Sequence, residues 1–196
     1  MSICSCRRLS KISTSSFTNR KYKRARPCRR LQNRTFASVV SLSLPNGGLL
    51  AGLIDGGIRS ATEIVDWTTG NRFLFLFHLR GWKRNNRVAH TLAQRIVDYQ
   101  KQYPGRPVWI VGHSGGGGMA LLTAAALPAE HPLTGLVMLA TAVSPEFDIR
   151  RALANVRTSI WNHYSWFDAF FLRLGTTVVG TLDGRHCCAA GAVGLR

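Results

Sequence analysis

The 196-residue chain predicts an α/β fold, a mostly parallel sheet flanked by helices on both faces, and three observations carry that prediction. From Asp55 onward, strand-length apolar runs alternate with helix-length stretches, the order expected of a sheet built from β-α-β units. One of these runs breaks sharply into an apolar helix at Gly112-His113-Ser114-Gly115-Gly116. An apolar share of 45% is enough for a core in a chain of one-domain length.

The elements follow in order from Asp55. Glu63 to Thr68 predicts a strand ended by Thr69-Gly70. Arg72 to Phe77 is a continuous apolar run of the kind that is covered on both faces. Asn86 to Tyr103 predicts an amphipathic helix, with Val88, Leu92, Ile96, Tyr99 and Tyr103 along one stripe and Asn85 or Asn86 as the cap. Val108 to Val111 predicts a buried strand, and Met119 to Leu127 a helix stopped by Pro128. Gly135 to Ala142 predicts another strand, Asp148 to Val156 a short helix, and Thr158 to Ser165 a further strand. Asp168 to Leu174 then predicts a helix and Thr176 to Thr181 a strand before the loop Asp183-Gly184-Arg185-His186.

Charge divides the chain unevenly. Residues 1–54 contain no Asp or Glu and carry 11 of the 26 basic residues, leaving 15 basic and 9 acidic residues from Asp55 onward. The predicted organisation is therefore a basic, disordered segment over 1–54 and a folded domain over 55–196. Residues 1–34 read as a leader ahead of the apolar stretch Phe36 to Leu44, as a polybasic arm, or as a non-native start. No aromatic residues alternate with those charges in the way a base-stacking surface needs, so specific nucleic-acid binding is not expected. A cytoplasmic location is expected unless the basic segment is a leader that directs export or organelle targeting. No run approaches the roughly 18 apolar residues of a membrane span. Cys4, Cys6, Cys28, Cys187 and Cys188 lack the paired spacing of a zinc site, so no metal is expected.

The chemistry concentrates at Ser114. In a G-x-S-x-G turn the serine is forced into a strained backbone conformation, and glycines at the flanking positions let strand and helix approach closely. The hydroxyl then stands above the strand end, with the first helical N–H groups, beginning with Gly115, aimed where an oxyanion forms. A phosphate-binding loop is excluded, because Lys followed by Ser or Thr is required after the last glycine and Met119-Ala120 stands there.

Over roughly Gly57 to Gly194 these residues resemble the α/β-hydrolase family of serine hydrolases, the esterase and lipase type in particular. The resemblance implies a triad acid in the loop after a late strand, and Asp168 matches that place, with Asp148 the second choice. It implies a second oxyanion donor in the loop His78-Leu79-Arg80-Gly81-Trp82, with Arg80 as the donor beside Gly115, although the usual His-Gly pair is missing. It also implies that His113, before the nucleophile, packs into the structure beside it. The neighbouring cations Arg80, Lys83, Arg84 and Arg87 either bias a pocket toward anionic substrates or form a solvated helix start.

Of the six histidines, only His186 follows Asp168 and keeps the order Ser, Asp, His. Only ten residues follow it, and with Gly191 and Gly194 among them they are too few and too glycine-rich for the family's closing helix. The expectation is a hydrolase domain cut short at one or both ends. Two functions stay open. One is a serine hydrolase that acts on a small-molecule ester or thioester through Ser114, Asp168 and His186 with no cofactor. The other is a catalytically incomplete hydrolase-like protein that lacks the triad histidine. Acyl group and oligomeric state are not legible.

Overall fold

The computed structural model describes residues 37–42, 47–58, 60–67, 79–164, 176–177 and 180–195. Among the described residues, five strands form one sheet: β1 (Ala37–Leu42), β2 (Ala61–Asp66), β3 (Val108–His113), β4 (Gly135–Leu139) and β5 (Ile160–His163), in the order β2-β1-β3-β4-β5. Every neighbouring pair is parallel, so all the carboxyl ends lie along one edge. The helices are α1 (Gly47–Asp55), α2 (Trp82–Gln102), α3 (Gly115–Ala126), α4 (Arg150–Ala154) and α5 (Ala190–Val193). The predicted parallel α/β architecture is present, and β3, α3, β4, α4 and β5 succeed one another in the predicted order.

Helix α3 is apolar on every side because it is enclosed. Its first ten residues are all buried, and it lies against β1, β3 and β4 with α2 and α4 alongside. Met119 and Leu121 of α3 join Ile110, Leu133, Leu136, Met138 and Leu182 as the largest fully buried apolar side chains among the described residues. The rings of Trp109 and Trp161 stack with centroids 5.2 Å apart. Gly135, the register partner of Trp109, leaves the room that ring occupies, for a Cβ there would collide with it.

Four expectations change. The boundary at Asp55 moves forward, because Ala37–Leu42 is a central strand hydrogen-bonded to β2 on one side and β3 on the other. In this acid-free stretch the segment holds only two strand formers, Val39 and Val40, and pairing on both sides, not local composition, makes it a strand. Helix α2 starts at Trp82, four residues earlier than predicted, and Gly81 is its cap residue without a side-chain bond. Asn85 therefore lies inside the first turn, fully buried, donating to the Leu79 carbonyl at 3.4 Å. Tyr103, predicted to end the apolar stripe, is exposed, while Ala89, Ala93 and Val97 fill the buried face.

Of the strand predicted over Thr176 to Thr181, the described residues 176, 177, 180 and 181 form no part. Thr176 and Thr177 are helical, and the Gly180 N–H donates to the Thr176 carbonyl at 2.9 Å in a helix-like closure. The Thr176 hydroxyl meanwhile donates to the Cys187 carbonyl at 2.9 Å, so a β-branched residue serves a turn here. The predicted strand over residues 72–77 and helix over residues 168–174 lie outside the described residues.

Asn155 closes the far end of α3. Its buried amide donates to the carbonyl of Ala124 at 3.0 Å, which also accepts the Leu127 N–H at 3.3 Å, and to the carbonyl of Leu127 at 2.7 Å, just past the helix end. Replacing Asn155 by Ala removes both bonds, leaving Ala124 only the bond from the Leu127 N–H and the Leu127 carbonyl without its amide donor. The expected cost is about 1–3 kcal/mol, measured as a lowered midpoint in denaturant with an unchanged slope.

Candidate active site

Ser114 stands at the junction of β3 and α3, at the carboxyl edge of the sheet, with φ 53° and ψ −123°. A serine in that region is strained, and the surroundings hold it there. A Cβ on Gly112 would run into the carbonyl of Gly116 and come within 2.7 Å of the Gly117 Cα, so strand and helix meet backbone to backbone. The Ser114 N–H donates to the Leu139 carbonyl at 2.9 Å, and the Ser114 carbonyl accepts from Gly117 at 3.0 Å and Ala142 at 3.1 Å. Three fixed backbone bonds and one glycine contact thus specify the turn.

Gly115, the first residue of α3, is buried between two elements. A Cβ on it would lie 2.8 Å from Leu79 Cδ2 and 2.9 Å from Trp67 Cζ2. At the start of a helix its N–H has no intrahelical acceptor, the condition an oxyanion donor needs. Leu79 brings the loop before α2 against the elbow, and Arg80 follows it with an exposed side chain. The Arg80 carbonyl accepts from the Trp82 N–H at 2.9 Å. Arg84 anchors the same corner by donating to the Trp67 carbonyl at 2.6 Å. That member of the basic cluster is therefore a structural tie. His113, predicted to pack beside the nucleophile, is exposed at the end of β3.

The remaining predicted site residues are placed as follows. Asp168 lies outside the described residues. Asp148 is exposed and clasps the residue at the start of α4: its Oδ1 accepts the Arg150 N–H at 3.0 Å and its Oδ2 pairs with the guanidinium at 2.7 Å. That hydrogen-bonded Arg150 side chain holds the Asp148 carboxyl far below the usual range. His186 is exposed, with Nδ1 3.0 Å from the Thr177 carbonyl. A carbonyl only accepts, so Nδ1 donates to it, and in the neutral ring that leaves the lone pair on Nε2, the tautomer a general base requires. Among the described residues, no hydrogen bond joins Ser114 to His186.

A carboxylate outside the predicted set lies near the elbow. Asp183 Oδ1 accepts the Ser144 N–H at 2.9 Å and Oδ2 the Ser144 hydroxyl at 2.5 Å. Burial pushes the Asp183 carboxyl up, but the bonds from the Ser144 and Thr181 hydroxyls outweigh it and leave the carboxyl below its ordinary value. In the sequence, Asp183-Gly184 signals only a turn, and a partner 39 residues away leaves no local mark.

The model of the family described as Serine aminopeptidase, S33, matches residues 78–174. The chain is also similar to the monoglyceride lipase of Homo sapiens, at 44% identity over 52 residues. That stretch is 26% of this chain and spans only 16% of the relative's length.

If Ser114 is held in a strained conformation, glycine should relieve it. Ser114→Gly is expected to exceed Ser114→Ala in stability by about 1 kcal/mol or more, read from paired thermal melts of the two variants.

Proposed function

Because this chain belongs to the α/β-hydrolase family, we propose that it is a serine hydrolase that cleaves carboxylic esters or thioesters through Ser114. The observation that carries the reading is the backbone of Ser114, set at φ 53° between a parallel strand and a buried helix. Strain of this kind in a glycine-crowded turn has a chemical use: it lifts the hydroxyl clear of the sheet edge. The name of the similar lipase favours an acyl ester as the substrate class.

In the proposed reaction the Ser114 Oγ attacks the acyl carbonyl while His186 Nε2 takes its proton. Asp168 stabilises the imidazolium that forms. The tetrahedral oxyanion is received by the Gly115 N–H, with the Arg80 N–H as the second donor. The protonated base then returns its proton to the leaving oxygen or sulfur. Water attacks the acyl-serine by the same path and restores the enzyme.

The second reading is a catalytically incomplete member of the family, favoured by the exposed His186 and its lack of a hydrogen bond to Ser114 among the described residues. In that protein the elbow serves packing, and a partner binds the surface.

A fluorescent fluorophosphonate separates the two, because it reports an activated serine whatever the natural substrate. The expected result is labelling of the native chain that falls at least about a thousandfold in Ser114→Ala and in His186→Ala. Labelling lost only in Ser114→Ala would place the base elsewhere, and a folded chain that takes no label would favour the incomplete reading.

A further inference from the structure

The segment that follows Gly180 is tied to the elbow by a continuous run of hydrogen bonds. The Ser114 carbonyl accepts from Ala142 N–H at 3.1 Å, and the Ala142 carbonyl accepts from Leu182 N–H at 2.9 Å. One residue on, the Asp183 carboxylate takes both the amide and the hydroxyl of Ser144, which is itself fully buried. The loop Ala140–Ser144 is thus held on one side by the nucleophile and on the other by the turn Thr181–Arg185. That turn is closed by Gly184 N–H on the Thr181 carbonyl and Thr181 N–H on the Arg185 carbonyl, at 2.9 and 2.8 Å.

The loop needs such a hold. Ala140 has φ 48°, a left-handed conformation costly for any residue with a Cβ. Its backbone is also approached so closely by Gly191 that a Cβ there would collide with the Ala140 carbonyl carbon. Leu182 is buried and would touch a Cβ on Gly118 at 3.1 Å, so the turn packs on the nucleophile helix as well as on the loop. Among the bonds joining loop and turn, the Asp183 pair alone comes from a side chain of the turn. Arg185 flanks it, 3.9 Å from Asp183 and 3.5 Å from Glu146.

We propose that Asp183 is a positioning residue for the nucleophile: by clamping Ser144 it fixes the loop whose Ala142 N–H holds the carbonyl of Ser114. The proposal rests on the serine-hydrolase reading for its consequence in catalysis, but the clamp itself can be measured without activity. Asp183 touches no substrate in this account and acts only through backbone groups.

Hydrogen exchange followed by mass spectrometry on the full chain, in the native form and in Asp183→Ala, tests the clamp. The expected result is exchange about tenfold or more faster in the peptides covering 140–144 and 112–118, with the peptide covering 61–66 in β2 unchanged. Ser144→Ala, which deletes only the hydroxyl, is expected to give the same pattern at smaller amplitude and serves if Asp183→Ala does not fold. Faster exchange confined to 180–186, or spread equally into 61–66, would overturn the proposal, since the first leaves the elbow unaffected and the second marks a general loss of stability. Fluorophosphonate labelling slowed about tenfold in the same variants, at equal melting temperature, is the expected catalytic consequence. If the native chain takes no label, the hydrolase reading fails while the exchange pattern still decides the clamp.

Discussion

The contact between Gly112 and Gly116 is the constraint on which the rest depends. It brings the end of β3 and the first turn of α3 together with no side chain between them, and Ser114 has to bridge the two in a conformation that serine disfavours. Burial around α3 compensates for this strain. Ten consecutive buried residues, four of them the glycines 115–118, seat the helix against three strands. Strain of about 1–3 kcal/mol at one residue is small against an enclosed helix whose apolar side chains each gain about as much on burial. The helix can therefore hold the serine in place, and the turn has no freedom to relax.

Each neighbour of the elbow has the shape that this turn demands. Trp67 and Leu79 fill the side that Gly115 leaves open, while Thr141 fills the side at Gly117. The loop after β4 supplies the backbone bonds that fix the serine carbonyl, and the chain from Gly180 closes over that loop. Ser114 is thus placed at the carboxyl edge of a parallel sheet, where side chains and helix starts converge. Two groups at that edge show opposite uses of charge. Asp148 spends its carboxylate on its own loop, whereas Asp183 reaches across the fold to a serine 39 residues away.

Legibility in the sequence followed the range of the interactions. The strand, elbow and helix from Val108 to Ala126 were readable because glycine spacing, apolar runs and a proline stop act within a few residues of one another. The central position of Ala37–Leu42 was not, because its place depends on pairing with β2 and β3, and the strand is only six residues long within an acid-free, basic stretch. Asn85 looked like a cap and proved to be a buried tie to Leu79, since capping and burial place the same residue type near a helix start. Thr176 and Thr177 carried strand propensity, but a turn closed by Gly180 and anchored on Cys187 overrode it. The place of Ser114 and Gly115 at the strand–helix turn is legible from a local motif, whereas the tie from Asp183 to Ser144 forms only once the fold has brought the two together.

The most direct test of the central claim is a crystal structure of the chain after reaction with an alkyl fluorophosphonate. The expected structure has phosphorus bonded to the Ser114 Oγ, with a phosphonyl oxygen about 3 Å from the Gly115 nitrogen and the Gly112–Gly116 contact intact. An adduct on another residue, or one on Ser114 whose phosphonyl oxygen turns away from Gly115, would contradict it.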